Sequence, residues 1–273
     1  MEIIVFDLDG TLLNEASEIS DYTSETLRLL SKRGIAYTVA TGRTLHSARA
    51  VLEGHGFELP QAYKNGVMIW HPDQQRFSSG AMLTAQELDH VVHACIRQDL
   101  TPFVFTLGEN QQSTVYHPPL HSSMEQKLVK YFSTHERIDL RDLSLLPRHA
   151  SITHINSIGP GDAINAVLQA VKHEPNIVAY SGDAWEGEGR RWLDIHHSDA
   201  SKGGAVKTLK ELLGLERVIC FGDNDNDLSM FEAADECYAP ENAKENIKSA
   251  ATAVIGHHDE EGIAEFLRER FEL

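Results

Sequence analysis

The chain has 273 residues, 41% of them hydrophobic and 24% charged, which is apolar material for one large core or two smaller ones. Acidic residues outnumber basic ones by 41 to 24, and the formal charge of -17 sets the surface against a nucleic-acid backbone while leaving room for one local basic pocket. Cys95, Cys220 and Cys237 are too few and too scattered for a disulfide framework or a thiolate zinc site, and no run reaches the roughly 18 apolar residues that span a bilayer.

Residues 3–6 form a short apolar run, the pattern of a strand buried on both faces. The run lacks a basic flank and is too short for a signal peptide, so a cytoplasmic protein is expected. A helix is predicted over 21–33, with Ser20 as its N-cap and Gly34 just past its end. A strand over 35–40 and a helix over 44–53 follow. The last third repeats this rhythm: a helix over 202–213 stopped by Gly214, a strand over 218–221, and a helix over 228–233. Such alternation predicts an α/β core, a Rossmann-like parallel sheet with helices on both faces. The middle differs. Predicted helices over 85–97, 122–132 and 162–173 are mixed with strands over 102–107, 114–117, 152–158 and 177–180, several in direct succession. This points to an inserted α+β domain over 83–188, with 1–82 and 189–273 forming the core. Ser78-Ser79-Gly80 and the region of Gly187 and Gly189 are the expected hinges.

Four short segments carry chemistry. Asp7-Leu8-Asp9-Gly10-Thr11 follows the first strand, and acids at i and i+2 leave a strand on one side of the backbone. Ligand sites of open α/β sheets lie at that edge. Two carboxylates so close repel, and Mg²⁺, a hard cation with few protein ligands, would resolve the conflict. Gly10 permits a sharp turn, and Thr11 is placed to hydrogen-bond the acids. Thr41-Gly42-Arg43 also follows a strand; a hydroxyl, a glycine amide and a forked guanidinium suit phosphate oxygens, although T-G at such a junction is ordinarily a turn and N-cap. Lys202 opens a helix, where the macrodipole disfavours a cation unless an anion lies between; a lone lysine there is ordinarily a solvated surface residue. Gly222-Asp223-Asn224-Asp225-Asn226-Asp227 follows another strand and offers oxygen ligands to a hard cation, or else an Asx-rich turn. It does not have the glycine and glutamate positions of a calcium EF-hand loop.

In order and spacing these segments closely resemble the four motifs of the haloacid-dehalogenase-like hydrolase superfamily: the Asp7 to Thr11 run, Thr41-Gly42-Arg43, Lys202, and Gly222-Asp223 with Asn226-Asp227. The insert between the second and third motifs resembles a type 2 cap, and Asn65-Gly66 with Asn226-Asp227-Leu228-Ser229-Met230 look like the Cof-type phosphatase branch. His197-Ser198-Asp199 ahead of Lys202 departs from the glycine that many relatives carry. The resemblance implies a Mg²⁺-dependent phosphatase acting on small phosphorylated metabolites, sugar phosphates above all, through an aspartyl phosphate. Asp7 would be the nucleophile and Asp9 the acid and base. Mg²⁺ would be held by Asp7, the Asp9 carbonyl and Asp223, with Asp227 near or through water. Leu8, Thr41, Gly42, Lys202 and Asn226 would hold phosphate oxygens, and the cap would close over the site and read the leaving group. Arg43, Arg190, Arg191 and Glu186 are candidate substrate contacts. His196-His197 and His257-His258 stay unassigned, because adjacent histidines on a strand face opposite ways. A phosphosugar mutase and a non-catalytic phosphate- or metal-sensing module are the rival readings. Neither nucleic acid nor membrane is an expected partner, and the oligomeric state is left open.

Overall fold

The computed structural model describes residues 2–108, 112–120, 122–134, 138–184 and 189–273. The chain divides into two compact units, residues 1–80 with 200–273, and residues 81–199.

The first unit opens with β1 (Glu2–Phe6), a tight turn (Leu8–Leu12), α1 (Asp21–Lys32), β2 (Ala36–Val39) and α2 (Leu45–Leu52). The Ser20 hydroxyl caps α1 by accepting from the Thr23 amide at 3.0 Å, and Thr44 caps α2 in the same way through Ser47. Next come β3 (Gln61–Tyr63), β4 (Met68–His71) and β5 (Arg76–Ser79), a three-stranded antiparallel sheet that sequence reasoning did not foresee. Its strands have only 3 to 4 residues each, too few for an alternating pattern to register.

The second unit holds α3 (Ala85–Ile96), β6 (Phe103–Leu107), β7 (Ser113–His117), α4 (Ser123–Thr134), β8 (Asp139–Asp142), β9 (Ile152–Pro160), α5 (Gly161–Val171), β10 (Ile177–Asp183) and β11 (Arg190–His197). Its six strands run in the order β10-β11-β9-β6-β7-β8 and are antiparallel except for β7 with β8. Helices α3 and α5 bury Val91, Cys95, Ile164 and Val167 with Ile155 and Ile195, while Phe132 of α4 packs with Phe103, Phe105 and Val115. The expected α+β insert is thus present, but the boundary expected at 188/189 moves to 199/200. Residues 190–197 pair along their whole length with β9 and β10, so hydrogen bonding binds them to the insert's sheet. Glu186 and Gly187 lie outside the described residues.

The first unit resumes with α6 (Lys202–Leu212), β12 (Arg217–Phe221), α7 (Leu228–Ala233), β13 (Glu236–Pro240), α8 (Glu245–Ala250), β14 (Ala253–Ile255) and α9 (Gly262–Phe271). Five strands form one parallel sheet in the order β14-β13-β12-β1-β2. Alternation along β1 sorts its side chains between two cores. Ile4 and Phe6 join Leu27, Leu30, Ile263 and Leu267 of α1 and α9, and Ile3 and Val5 join Val206, Met230 and Ile247 of α6, α7 and α8. Helices therefore cover both faces, which is why β1 and β12 read as continuous apolar runs. Among the described residues, no helix is long and apolar enough to cross a membrane.

Candidate active site

Parallel pairing decides which residues meet. Phe6 lies in register with Phe221 on one side and Val39 on the other, so the chain leaves β1, β12 and β2 at one edge of the sheet. Asp7, Gly222-Asp223 and Ala40-Thr41 follow those ends. The Asp7 amide is still tied to the sheet, donating to the Phe221 carbonyl at 2.9 Å. Gly10 adopts φ +75°, and a Cβ there would sit 2.7 Å from Asp223 Oδ2. Glycine is required both for the left-handed turn and for the close approach of that carboxylate. The Thr11 hydroxyl then donates to Asp223 Oδ1 at 2.9 Å, an acid of the fourth motif rather than of its own.

Lys202 is no surface residue: it is fully buried. Its Nζ donates to Asp7 Oδ1 and to Asp227 Oδ1, each at 2.6 Å. Close packing of α6 on α7 delivers it there, since a Cβ on Gly203 would stand 2.1 Å from the Ser229 carbonyl oxygen. The other oxygen of Asp227 accepts the Asp223 and Asn224 amides at 2.9 and 3.0 Å, fastening the loop to the lysine. Asp225, in the same acid-rich run, turns outward to Lys244 and Asn246.

Oxygens of Asp7, Asp223 and Asp227 all lie within 4.8 Å of one another. Burial raises the Asp7 carboxyl well above its ordinary value against the pull of Lys202, and the Asp227 and Asp223 carboxylates push it the same way. Asp223 is raised for the same reasons, burial first and Asp227 next, with Thr11 and Lys202 pulling it down. For Lys202, burial disfavours the ammonium, but the two carboxylates outweigh that and hold it charged. One ammonium faces three carboxylates, so two formal negative charges remain uncompensated. Hard oxygen donors with surplus negative charge fit a divalent cation such as Mg²⁺. The Asp9 side chain is not among these carboxylates; it meets Arg43 instead.

Thr41, fully buried, accepts the Arg43 amide on its hydroxyl at 3.1 Å, and its carbonyl accepts the Asn65 amide at 2.9 Å. Gly42 is exposed beside Asn65, whose Oδ1 would be 3.2 Å from a Cβ at Gly42. Lys64, Asn65 and Gly66 are three successive residues at positive φ, and a Cβ on Gly66 would come within 2.2 Å of the Ser201 carbonyl oxygen. This turn therefore rests on the start of α6, and Asn65 Oδ1 accepts from Asn226 Nδ2 at 2.8 Å. The second, third and fourth motifs are joined through it. The Leu8 side chain is buried at the head of the turn.

The arginines named as candidate substrate contacts have these places in the structure. Arg43 is engaged by Asp9: Nε donates to Oδ2 at 2.8 Å, and Nη2 donates to Oδ1. Arg191 ties α5 to β10, donating to Asn165 Oδ1 at 2.9 Å and to the Ser181 carbonyl at 3.3 Å; Arg190 begins β11 opposite Pro160. Sequence reasoning also missed a brace behind Asp9. Asn242 Nδ2 donates to the Gly10 carbonyl at 2.7 Å, and Asn242 Oδ1 accepts the His258 amide at 3.3 Å. The His258 ring meets the Leu13 carbonyl at 2.7 Å. The pair His257-His258 lies off the strands, so the opposite-face argument does not apply to it. No local spacing links residue 242 to residue 10; only the fold does.

The sequence profile of the haloacid dehalogenase-like hydrolases matches residues 4–267. The 5-amino-6-(5-phospho-D-ribitylamino)uracil phosphatase YwtE of Bacillus subtilis is 26% identical over 292 residues, spanning 98% of this chain and 97% of that protein. The phosphatase YwpJ of the same organism is 29% identical over 294 residues, spanning 98% and 99%. In three dimensions, a haloacid dehalogenase-like hydrolase from B. subtilis superposes with a TM-score of 0.76 at 24% identity, over 98% of this chain and 99% of its own.

Proposed function

The chain belongs to the haloacid dehalogenase-like hydrolases, among their Cof-type phosphatases, and from that premise we propose that it hydrolyses small phosphate monoesters in two steps through Asp7. In the first step an Asp7 carboxylate oxygen bonds to phosphorus while the ester P–O bond breaks, and Asp9 gives its proton to the departing oxygen. In the second, water attacks phosphorus, Asp9 takes the water's proton, and the bond to Asp7 breaks to release inorganic phosphate. Lys202 orients the nucleophile through Oδ1 and, with Thr41, Gly42, Asn226 and the Leu8 amide, supplies donors for the remaining phosphate oxygens.

Mg²⁺ would be held by Asp7, the Asp9 carbonyl and Asp223, with Asp227 beside it. Its charge would offset the approach of one anion to another. The observation that carries this reading is the convergence of Asp7, Asp223 and Asp227, from chain positions more than 200 residues apart, around one buried ammonium with negative charge to spare. Sugar or sugar-alcohol phosphates are the proposed substrates, a cytoplasmic metabolite class that matches the phosphoribityl compound for which one relative is named. The test is phosphate release from a panel of phosphorylated metabolites, ranked by kcat/KM. Release should require Mg²⁺ and stop in chelator. Undiminished turnover in excess chelator refutes the metal's role, and isomerised sugar phosphate without phosphate release refutes hydrolysis.

A further inference from the structure

We propose that Arg43 is a positioning residue for Asp9, holding the acid/base carboxylate where the leaving oxygen is protonated. The inference rests on the function proposed above and adds to it a residue that acts through another.

The Asp9 side chain is 58% exposed, and the turn that carries it continues directly into the left-handed Gly10. Asp7, two residues earlier, is by contrast buried and clamped by Lys202. What holds Asp9 is a fork: two adjacent N–H groups of Arg43 meet its two oxygens in the bidentate arrangement that fixes direction as well as distance. Arg43 is itself well placed to be a fixed point. Its side chain is only 19% exposed, its amide is bonded to Thr41 Oγ1, and its carbonyl accepts the Lys64 amide at 3.0 Å. The guanidinium thus ties the orientation of the proton donor to the loop proposed to bind phosphate.

A direct contact between Arg43 and phosphate is the competing role, and the leaving group separates the two. An alkoxide must be protonated as its P–O bond breaks; p-nitrophenolate leaves without help. A residue that positions Asp9 matters for the first and little for the second, while a phosphate contact matters equally for both. Since kcat/KM reports the step that forms the phosphorylated enzyme, it should be measured for a sugar phosphate and for p-nitrophenyl phosphate. The enzymes are wild type, Arg43→Ala, Arg43→Lys and Asp9→Asn, all with Mg²⁺.

Arg43→Ala should lose at least about tenfold more with the sugar phosphate than with the aryl phosphate, within the range of general acid catalysis. Asp9→Asn should show the same split, larger. Arg43→Lys should recover part of the loss, because an ammonium offers point contacts rather than a fork. Melting curves with and without Mg²⁺ check that each variant is folded. An equal loss on both esters, or no loss, overturns the assignment of Arg43 even if Asp9→Asn shows the split. A wild-type enzyme that releases phosphate from neither ester overturns the proposed function, and the role of Arg43 with it.

Discussion

Asp7 and Asp9 stand two residues apart and occupy different solvents. Asp7 is buried against an ammonium and two further carboxylates, and burial shifts its proton affinity. Asp9 lies largely in water, held by one guanidinium. The contrast matches the proposed division of work. A nucleophile gains from being fixed and desolvated, whereas a group that passes a proton to the leaving oxygen must be aimed at it and still reach the substrate. The sheet imposes the difference: residue 7 still bonds to β12, and residue 9 has already entered the turn.

Substitutions on the two sides should separate these roles. Asp7→Asn should cost the most, on the order of 10⁴-fold or more in kcat, since no other group can take up phosphorus. Its metal-free fold should be at least as stable as wild type, because a desolvated carboxylate has gone. Rapid-quench trapping of a phosphorylated chain in wild type, absent in the variant, checks the assignment, and substantial residual turnover would break the contrast. Asp9→Asn should cost about 10² to 10⁴-fold in turnover, the usual worth of an acid/base group. Its stability should hardly move, since exposed pairs contribute about 0–1 kcal/mol.

Lys202→Met reverses that pattern. It leaves Asp7 and Asp227 buried without their cation, and breaking a buried pair costs about 3–5 kcal/mol, to be read from denaturant unfolding of the metal-free protein. A change below about 1 kcal/mol would mean that water reaches the Asp7 and Asp227 carboxylates.

The smallest effect concerns pH. The folded-state values of Asp7 and Asp223 are raised, so the metal-free folded protein keeps protons that the unfolded chain has lost. Their contribution to stability is fully present below the ordinary carboxylate value of 3.8 and is lost as pH rises through the raised values. Mg²⁺ competes with those protons. The gain in melting temperature on adding Mg²⁺ should therefore grow as pH rises across that window. A gain that stays constant would show that the carboxylates are not the metal's ligands.

Legibility in the sequence followed the same divide. The buried strands announced themselves as apolar runs, and the cap Ser20 marked the start of α1 correctly. The acid pairs were visible because they sit directly after those strands. Lys202 was ambiguous by itself, as no local pattern tells a buried lysine from a solvated one; only packing on Gly203 and the distant Asp227 decides it. That Arg43 meets Asp9 was not legible, because no local pattern links residues 43 and 9. Asn242 was invisible, since its partner lies 232 residues away. The short strands β3 to β5 and the reassigned β11 were missed for a related reason: pairing, rather than composition, decides to which sheet a strand belongs.

One detail of the first unit bears on how such a chain is assembled. A Cβ on Gly80 would lie 3.3 Å from that of Ala200, so the points where the polypeptide departs and returns are next-door neighbours although 119 residues, 81 to 199, run between them. Excising that stretch would leave two ends that a short turn can rejoin, at little cost in closure entropy. The carboxylates around the lysine are thus all supplied by the first unit, on chain segments that the intervening 119 residues do not interrupt.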